Sequence, residues 1–398
     1  MDSPSIPAVA HASVSTQYLP LTRETSPLQA DGPIPPWWSA LHAAAPAATI
    51  FVSPAWIKTW LDRYGRAFSG EWVRWHINGK TVGGALVLQR TRWRKGIPLR
   101  CIYLNTSEDV TQRSPQTEFN QVLHLPEYAE QVSAALADDL QRRHCDCVRL
   151  AGFEQTAFFE GLLAKLHRMD VETDAKPAPF VDLCSLPAGP FEESLTGKAG
   201  AQIRQSFKRY EEVFGPLRLE EALDADTRQH YLVELARLHN ALWRERGLAG
   251  AFDCATFTAF HQSLLNRLEQ QPAVKLLRAT AGEHVLGYLY AFNDRGCVYV
   301  YQSGFCYEKD TKLRPGLVAH ALAITHCRDQ GLHEYNLMAG ESQYKRALAK
   351  ARRDVGWVTL YRNTLASRMF IALRDAKRRF KPVPANEPPG AFAKPHMS

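Results

Sequence analysis

Apolar and polar positions alternate in two widely separated stretches of the chain. WVRWHI, the pair Asn78-Gly79 and VGGALVLQR read as two strands joined by a tight turn, because Asn-Gly tolerates the positive φ that a two-residue hairpin demands. VKLLRAT, the pair Ala281-Gly282 and VLGYLYAFN repeat the pattern, with Gly79, Val82, Gly84 and Leu86 matched by Gly282, Val285, Gly287 and Leu289 at a spacing of 203 residues. Both hairpins follow a helical stretch and precede further strands, so the repeat predicts an internal duplication into two α/β lobes of similar topology. A cluster of Pro177, Pro179, Pro187 and Pro190 sets the boundary near residues 174–190.

Elsewhere the spacing is helical. Ser53-Pro54 before AWIKTWLDRYG predicts a capped helix with Trp56 and Trp60 on one face and Gly65 as its stop. Residues 191–215 place Ile203, Phe207, Tyr210 and Phe214 on one stripe, and residues 227–246 place Tyr231, Leu235, Leu238 and Leu242 on another. After the second hairpin, NDRG turns into a third antiparallel strand, CVYVYQSG. Arg314-Pro315-Gly316 then opens a helix, EYNLMA forms a short strand, Gly340-Glu341 opens a helix carrying Tyr344, Lys345 and Leu348, and WVTLYR closes the lobe. The expected organisation is a poorly ordered segment over 1–36, one lobe over 37–180, a second over 181–365, and a basic helix with a Pro-rich tail over 366–398.

Composition narrows the class. No apolar run approaches the roughly 20 residues of a membrane helix, and no basic start with an apolar stretch marks a secretion signal, so the reading is cytoplasmic. Eight scattered cysteines fit reduced thiols rather than a disulfide scaffold. His144-Cys145-Asp146-Cys147 lacks a second ligand pair, and no metal is expected. The net charge of +7 is local: residues 341–398 hold thirteen basic and four acidic side chains, a net +9. A local positive field suits a phosphate-bearing cofactor, tRNA, an acidic carrier or an anionic membrane face touched by the carboxy-terminal segment, and gives no reason to expect DNA.

The segment FCYEKDTKLRPGLVAHAL concentrates the candidate chemistry. Pro315, Gly316 and Leu317 open a helix whose first free amides and positive dipole end would face an anion, and Arg314 beside them could add charge-assisted contacts to a pyrophosphate. The same arrangement also opens helices that bind nothing. The order of elements resembles the GCN5-related N-acetyltransferase (GNAT) fold, and SGFCYEKDTKLRPGLVAHALAITHCRDQGLHEYNLMAGESQYKRAL is similar to the carboxy-terminal lobe of the CelD-like acyltransferases, relatives of the Fem peptidoglycan aminoacyltransferases. The likeness covers residues 190–362, and 50–174 more weakly through FVSPAWIKTWLDRYG, GGALVLQR and TEFN. It implies an α/β (α+β) fold of two GNAT-like lobes in tandem, each a mixed, mostly antiparallel sheet flanked by helices. Arg-Pro-Gly followed by Leu317, Val318 and Ala319 departs from the usual GNAT phosphate loop of Arg/Gln-x-x-Gly-x-Gly/Ala.

Acyl transfer to an amine needs a base for the nucleophile, stabilisation of the oxyanion and a proton for the leaving group. The resemblance implies that the acyl arm lies where the YVYQSG strand parts from EYNLMA. Glu341 could accept the amine proton, Tyr344 could protonate the leaving group, and Lys345 could bind a phosphate or keep Glu341 ionised. Equally, Glu341 could complement a helix dipole, Tyr344 and Leu348 could be core, and Glu341 with Lys345 an ordinary i,i+4 pair. His239 is a second candidate base, or a buried hydrogen-bonded histidine, with Trp243 one turn on in LHNALW. Arg204 and Lys208 offer an acceptor's phosphates a polar face. The expected activity is acyl transfer from acyl-CoA, as co-substrate, to an amine or hydroxyl on a small molecule or glycan precursor. Charged tRNA or an acyl carrier protein is the rival donor, and a scaffold in polysaccharide or envelope assembly that has lost the chemistry is the reading from another class.

Overall fold

The computed structural model describes residues 20–108, 114–166 and 169–379. The first lobe contains β1 (Thr22–Pro27), α1 (Pro36–Ala44), α2 (Pro54–Tyr64), β2 (Ser69–Ile77), β3 (Lys80–Arg94), β4 (Ile97–Leu104), β5 (Leu123–His124), α3 (Ala129–Arg142), β6 (Cys147–Glu154), α4 (Ala157–Lys165) and β7 (Asp170–Asp182). The second contains α5 (Phe191–Ser194), α6 (Gly197–Phe214), β8 (Leu217–Glu221), α7 (Ala225–Glu245), α8 (Ala255–Arg267), β9 (Val274–Ala281), β10 (His284–Asp294), β11 (Cys297–Phe305), α9 (Pro315–Asp329), β12 (Glu334–Asn336), α10 (Gln343–Leu348) and β13 (Ala351–Tyr361), followed by α11 (Leu365–Arg379). Local signals act as expected in α2, where the Ser53 hydroxyl accepts the Trp56 amide at 3.2 Å and Trp56 and Trp60 are fully buried.

The strands form one mixed sheet in the order β1-β2-β3-β4-β6-β13-β7-β12-β11-β10-β9-β8, with β5 paired to β3 off this path. The order is a palindrome about the β13/β7 junction. Each half runs through four antiparallel neighbours, takes a parallel step (β4 to β6, β11 to β12), and ends on a strand supplied by the other half. The tandem duplication is therefore real, and the two lobes exchange their last strands. Antiparallel pairing from Ala351↔Phe180 to Tyr361↔Asp170 joins β7 to β13, so the lobes cannot part without breaking the centre of the sheet.

Pairing also corrects the register of the repeat. Ile77↔Lys80 closes the first hairpin and Ala281↔His284 the second, while Trp75↔Gly83 corresponds to Ala279↔Gly287, an offset of 204 rather than 203. Both hairpins bulge at the same place, Val82 and Leu286. The slip arises from turn chemistry. Asn78 and Gly79 both have positive φ, whereas in the second turn only Gly282 does, so the glycine stands second in one turn and first in the other. Aligning glycines thus displaces every side chain to the opposite face.

Two domain expectations change. Residues 1–36 were expected to lack regular structure, yet Thr22–Pro27 pairs antiparallel with β2; residues 1–19 lie outside the described residues. The proline cluster is not a linker, and a boundary at 180/181 falls inside β7. The Pro177 and Pro179 carbonyls accept from the Gly340 and Leu337 amides at 2.8 and 2.9 Å, so the donors these prolines lack would face the same segment. That is where the ladder to β12 stops, and proline is tolerated in a central strand there because no regular partner awaits it. The helix expected over 191–215 divides into α5 and α6, and α11 packs Phe370 against Tyr361 while leaving Leu365, Met369 and Leu373 exposed. The Pro-rich tail from residue 380 onward lies outside the described residues.

An aromatic cluster ties the lobes together on one face. Trp56 meets Phe260 edge-on at 5.1 Å, and Phe51 meets Tyr299 at 5.5 Å, in a core that also takes in Phe292 and Tyr301.

Candidate active site

β11 and β12 pair at only three positions, Cys297↔Glu334, Val298↔Tyr335 and Tyr299↔Asn336. Beyond them β11 runs on to Phe305 paired with β10 alone, while residues 337–340 turn toward Pro177 and Pro179. The parting opens a cleft of about 2060 Å³ lined by both lobes. The split expected between YVYQSG and EYNLMA is thus present.

Arg314, Pro315, Gly316 and Leu317 all line this cleft at the start of the 15-residue helix α9. Val318 is the first residue of the helix whose amide bonds backward, to the Arg314 carbonyl at 3.2 Å, so the Gly316 and Leu317 amides precede the helix's own ladder. The Arg314 amide donates to Ser206 Oγ at 2.9 Å, fixing the loop, and its Nε donates to the Thr311 carbonyl at 3.3 Å. The guanidinium meets no carboxylate among the described residues, leaving its charge available to an anion.

The floor differs from the sequence reading. Ser342 caps α10, its hydroxyl accepting the Lys345 amide at 3.4 Å, so Glu341 precedes the helix instead of opening it. Its carboxylate is half exposed at the cleft edge and pairs with Arg346 at 3.4 Å, not with Lys345. Lys345 is only 9% exposed, and Nζ donates to the Met338 and Ala339 carbonyls at 3.0 and 2.9 Å. Burial pushes its ammonium down to about 8, opposed by the charge of Glu118. Lys345 therefore neither reaches a phosphate nor supports Glu341; it faces a carboxylate from the other lobe. Tyr344 lines the cleft with more than a third of its surface exposed, stacked on His320 at 5.3 Å, and desolvation keeps its phenol protonated well above neutrality. His320 itself is driven down to about 3 by burial and stays neutral, bonded through Nδ1 to the Tyr335 hydroxyl at 2.9 Å.

Sequence reasoning missed two carboxylates. Glu118 is 8% exposed, and Oε2 accepts the Ala339 amide at 2.5 Å across the lobe junction. Burial raises it, against the pull of Lys345 and of the Ala339 amide. Glu108, equally buried, accepts from Trp357 Nε1 at 2.6 Å; burial raises it too, Arg149 opposes the shift and Glu118 adds to it. The segment that follows Glu118 is firmly held. Asn120 takes its amide to the Gly152 carbonyl at 2.8 Å and Nδ2 to the Leu104 and Ala151 carbonyls, while Asn105 Nδ2 reaches Asn120 Oδ1 at 2.8 Å. Gly152, at φ +72°, has the Thr117 carbonyl 1.8 Å from where a Cβ would stand, so only glycine lets the Glu118 loop sit this close. The one sequence signal was TEFN, which contains Glu118 but carries no sign of its burial.

The remaining candidates resolve as follows. His239 lines the cleft, but Nδ1 donates to the Ser303 carbonyl at 3.1 Å and Nε2 accepts the Ala251 amide at 3.4 Å. Both nitrogens are committed and burial lowers its pKa, so it holds structure and is no free base. Trp243 lines the cleft near it, with the Arg246 guanidinium over its ring at 5.5 Å. Arg204 does not line the cleft; NH1 binds the Glu192 and Leu195 carbonyls at 2.8 Å, joining α5 to α6. Lys208 is exposed outside it and pairs with Glu212 at 3.8 Å. Among the described residues no group of three His, Cys, Asp or Glu side chains is placed to hold a metal ion.

The arrangement brings the free amides at the start of α9, a raised carboxylate fit to accept a proton and a protonated phenol fit to give one into a single cleft. Comparison with known proteins agrees at the level of fold. No curated protein matches the chain in sequence. A solved structure described as FemX superposes with a TM-score of 0.58 over 88% of this chain and 99% of its own at 9% identity. A conserved protein of unknown function from Bacteroides thetaiotaomicron does so with 0.51 over 82% and 96% at 11% identity. Residues 197–346, in the second lobe, match the acetyltransferase (GNAT) domain family, within a fold of two GNAT-like lobes in tandem.

Proposed function

We propose that the protein is an acyltransferase that moves an acyl group from acyl-CoA to an amine or hydroxyl by direct attack, in keeping with the CelD-like resemblance of its sequence. The carrying observation is that the α9 amides and the unpaired Arg314 open into the same cleft that holds Glu118, Lys345 and Tyr344. The donor's diphosphate lies on the Gly316 and Leu317 amides, and its arm follows the parting of β11 and β12. The acceptor nitrogen attacks the thioester carbonyl, Glu118 takes the proton from nitrogen, the C–S bond breaks, and Tyr344 protonates the leaving sulfur. Lys345 orients Glu118, and the proton gained by Glu118 later returns to Tyr344 through solvent. A non-catalytic scaffold has no use for a buried Glu118 beside a buried Lys345, because desolvating both groups costs stability.

The test is a thermal-shift series of wild type and Arg314→Ala against coenzyme A, acyl-CoAs, an acyl carrier protein and charged tRNA. A coenzyme A-dependent rise, worth about 2.7 kcal/mol at 100 times the dissociation constant and lost in the variant, is expected. A rise only with charged tRNA, abolished by ribonuclease and steeply weakened by salt, would move the donor to tRNA. No shift with any donor would overturn acyl transfer in favour of a scaffold.

A further inference from the structure

β4 and β6 run parallel and pair at only three positions, Cys101↔Cys147, Ile102↔Val148 and Tyr103↔Arg149. This short ladder closes the segment 102–146, which carries Glu108 and Glu118. Past it the two strands are tied again by Asn120 Nδ2, which donates to the Leu104 and Ala151 carbonyls. Before it stand two thiols. Cys101 and Cys147 are register partners, both line the first-lobe end of the cleft, and their sulfurs lie 2.8 Å apart. Adjacent strands lie about 4.8 Å apart, inside the Cα separation of about 4.4–6.8 Å that a disulfide spans, and bringing the sulfurs to about 2.05 Å takes less than about 1 Å of movement. The partner of Cys147 is thus across the sheet and is not Cys145, its neighbour in the run from His144 to Cys147.

The two sulfurs differ in chemistry. Burial raises Cys145 and Cys327 above the ordinary thiol range. Cys101 moves the other way: the Cys147 thiol donates to its sulfur and outweighs burial, and the charges of Arg92 and Arg94 add to the effect, while the same bond raises Cys147. Cys101 is the readier thiolate and Cys147 keeps its proton, as an attacking and a resolving cysteine require. We propose that Cys101 and Cys147 form a reversible redox site, which hydrogen peroxide entering the cleft converts to a disulfide between β4 and β6. The Cys101 thiolate attacks one peroxide oxygen, the O–O bond breaks, and the departing hydroxide takes the Cys147 proton as water. The Cys147 thiolate then attacks the Cys101 sulfenic acid; the S–S bond forms, the S–O bond breaks, and the second hydroxide leaves as water with the proton that Cys101 had released. Two thiols are oxidised and one peroxide is reduced to two waters. The bond staples the base of the segment carrying Glu108 and Glu118 where the ladder is shortest, so local opening of that segment is suppressed in the oxidised protein. None of this depends on the acyl-transfer reading.

The experiment treats the reduced full-length protein with hydrogen peroxide, blocks remaining thiols with N-ethylmaleimide during denaturation, and maps the tryptic peptides without reduction. The expected product has lost two hydrogens and joins the peptide beginning at Cys101 to residues 144–149, with fragmentation placing the bond on Cys147 rather than Cys145, and dithiothreitol reverses it. In Cys147→Ser the link should be absent and dimedone should trap Cys101 as its sulfenic acid. The urea midpoint of oxidised wild type should exceed that of the reduced protein, while peroxide should leave the midpoint of Cys101→Ser/Cys147→Ser where it was. The map is made on wild type, so a variant that fails to fold leaves the test intact. Both thiols alkylated after peroxide, either one joined to a different cysteine, or over-oxidation without a link would overturn the redox site. A linked protein whose midpoint does not rise would overturn the staple.

Discussion

Replacing Lys345 by Met removes a buried ammonium that lies near Glu118 of the other lobe, and the pH dependence of stability then reports its burial. In the folded protein Lys345 titrates at about 8, against 10.5 for an ordinary lysine, because burial disfavours its charge. Below about pH 8 both native and unfolded chains hold the proton, and the native state bears the full cost of a buried ammonium. Between about 8 and 10.5 the unfolded chain keeps the proton and the native one has shed it, so native stability rises with pH. Integrated from about pH 7 to about pH 9.5, the gain is about 2 kcal/mol.

The assay is urea unfolding of both proteins at those two pH values. Buried tyrosines and cysteines, whose raised pKa values pull stability down at the alkaline end, are common to both proteins and cancel in the difference. Wild type should gain about 2 kcal/mol on the variant over this interval. Parallel curves, or a wild type that loses ground, would refute the claim that Lys345 is desolvated.

Glu118→Gln alone should lower kcat by roughly 10²–10⁴ while sparing coenzyme A affinity, and the acid limb of the wild-type kcat profile should lie above the ordinary carboxylate range, since a base raised by burial is lost earlier as pH falls. Gly152→Ala should destabilise by roughly 2–4 kcal/mol through its left-handed φ and the clash with Thr117, and activity measured on the fraction still folded should fall as well, because that clash displaces the Glu118 loop. His239→Phe should cost about 1–3 kcal/mol in urea unfolding yet leave the shape of the pH–rate profile unchanged; loss of a limb would make His239 a titrating catalyst after all.

The parts of the fold legible in the sequence are those written in adjacent residues. Ser53-Pro54 specifies the start of α2, Asn78-Gly79 and Gly282 specify two hairpins, and Arg314-Pro315-Gly316 specifies the start of α9, each through the conformational preferences of two or three side chains. The exchange of β7 and β13 could not be read that way. It pairs residues 170–182 with 351–361, and nothing local in either strand names its partner. The prolines of β7 then pointed to a lobe boundary, because their tolerance in a central strand depends on residues 337–340 turning away from the ladder on the far side.

The site divides along the same line. The proposed donor end sits on a helix start whose position was legible, since the chemistry of free amides belongs to the helix itself. Its reacting end is made where a loop of one lobe meets the strand end of the other, and every protonation property there comes from that meeting. Lys345 read as a surface partner for Glu341 only while both were placed on one helix; once Ser342 caps α10, Glu341 falls outside, and Lys345 turns inward to the Met338 and Ala339 carbonyls and toward Glu118. Glu108 and Glu118 look like loop carboxylates in sequence because solvent is the default neighbour of an acidic residue. What removes the solvent is the strand exchange, which brings Trp357 over Glu108 and the Ala339 amide onto Glu118. A duplicated fold whose halves kept their own last strands would leave both carboxylates ionised in water at ordinary values, and the proposed base would then lack the raised pKa that suits it to its task.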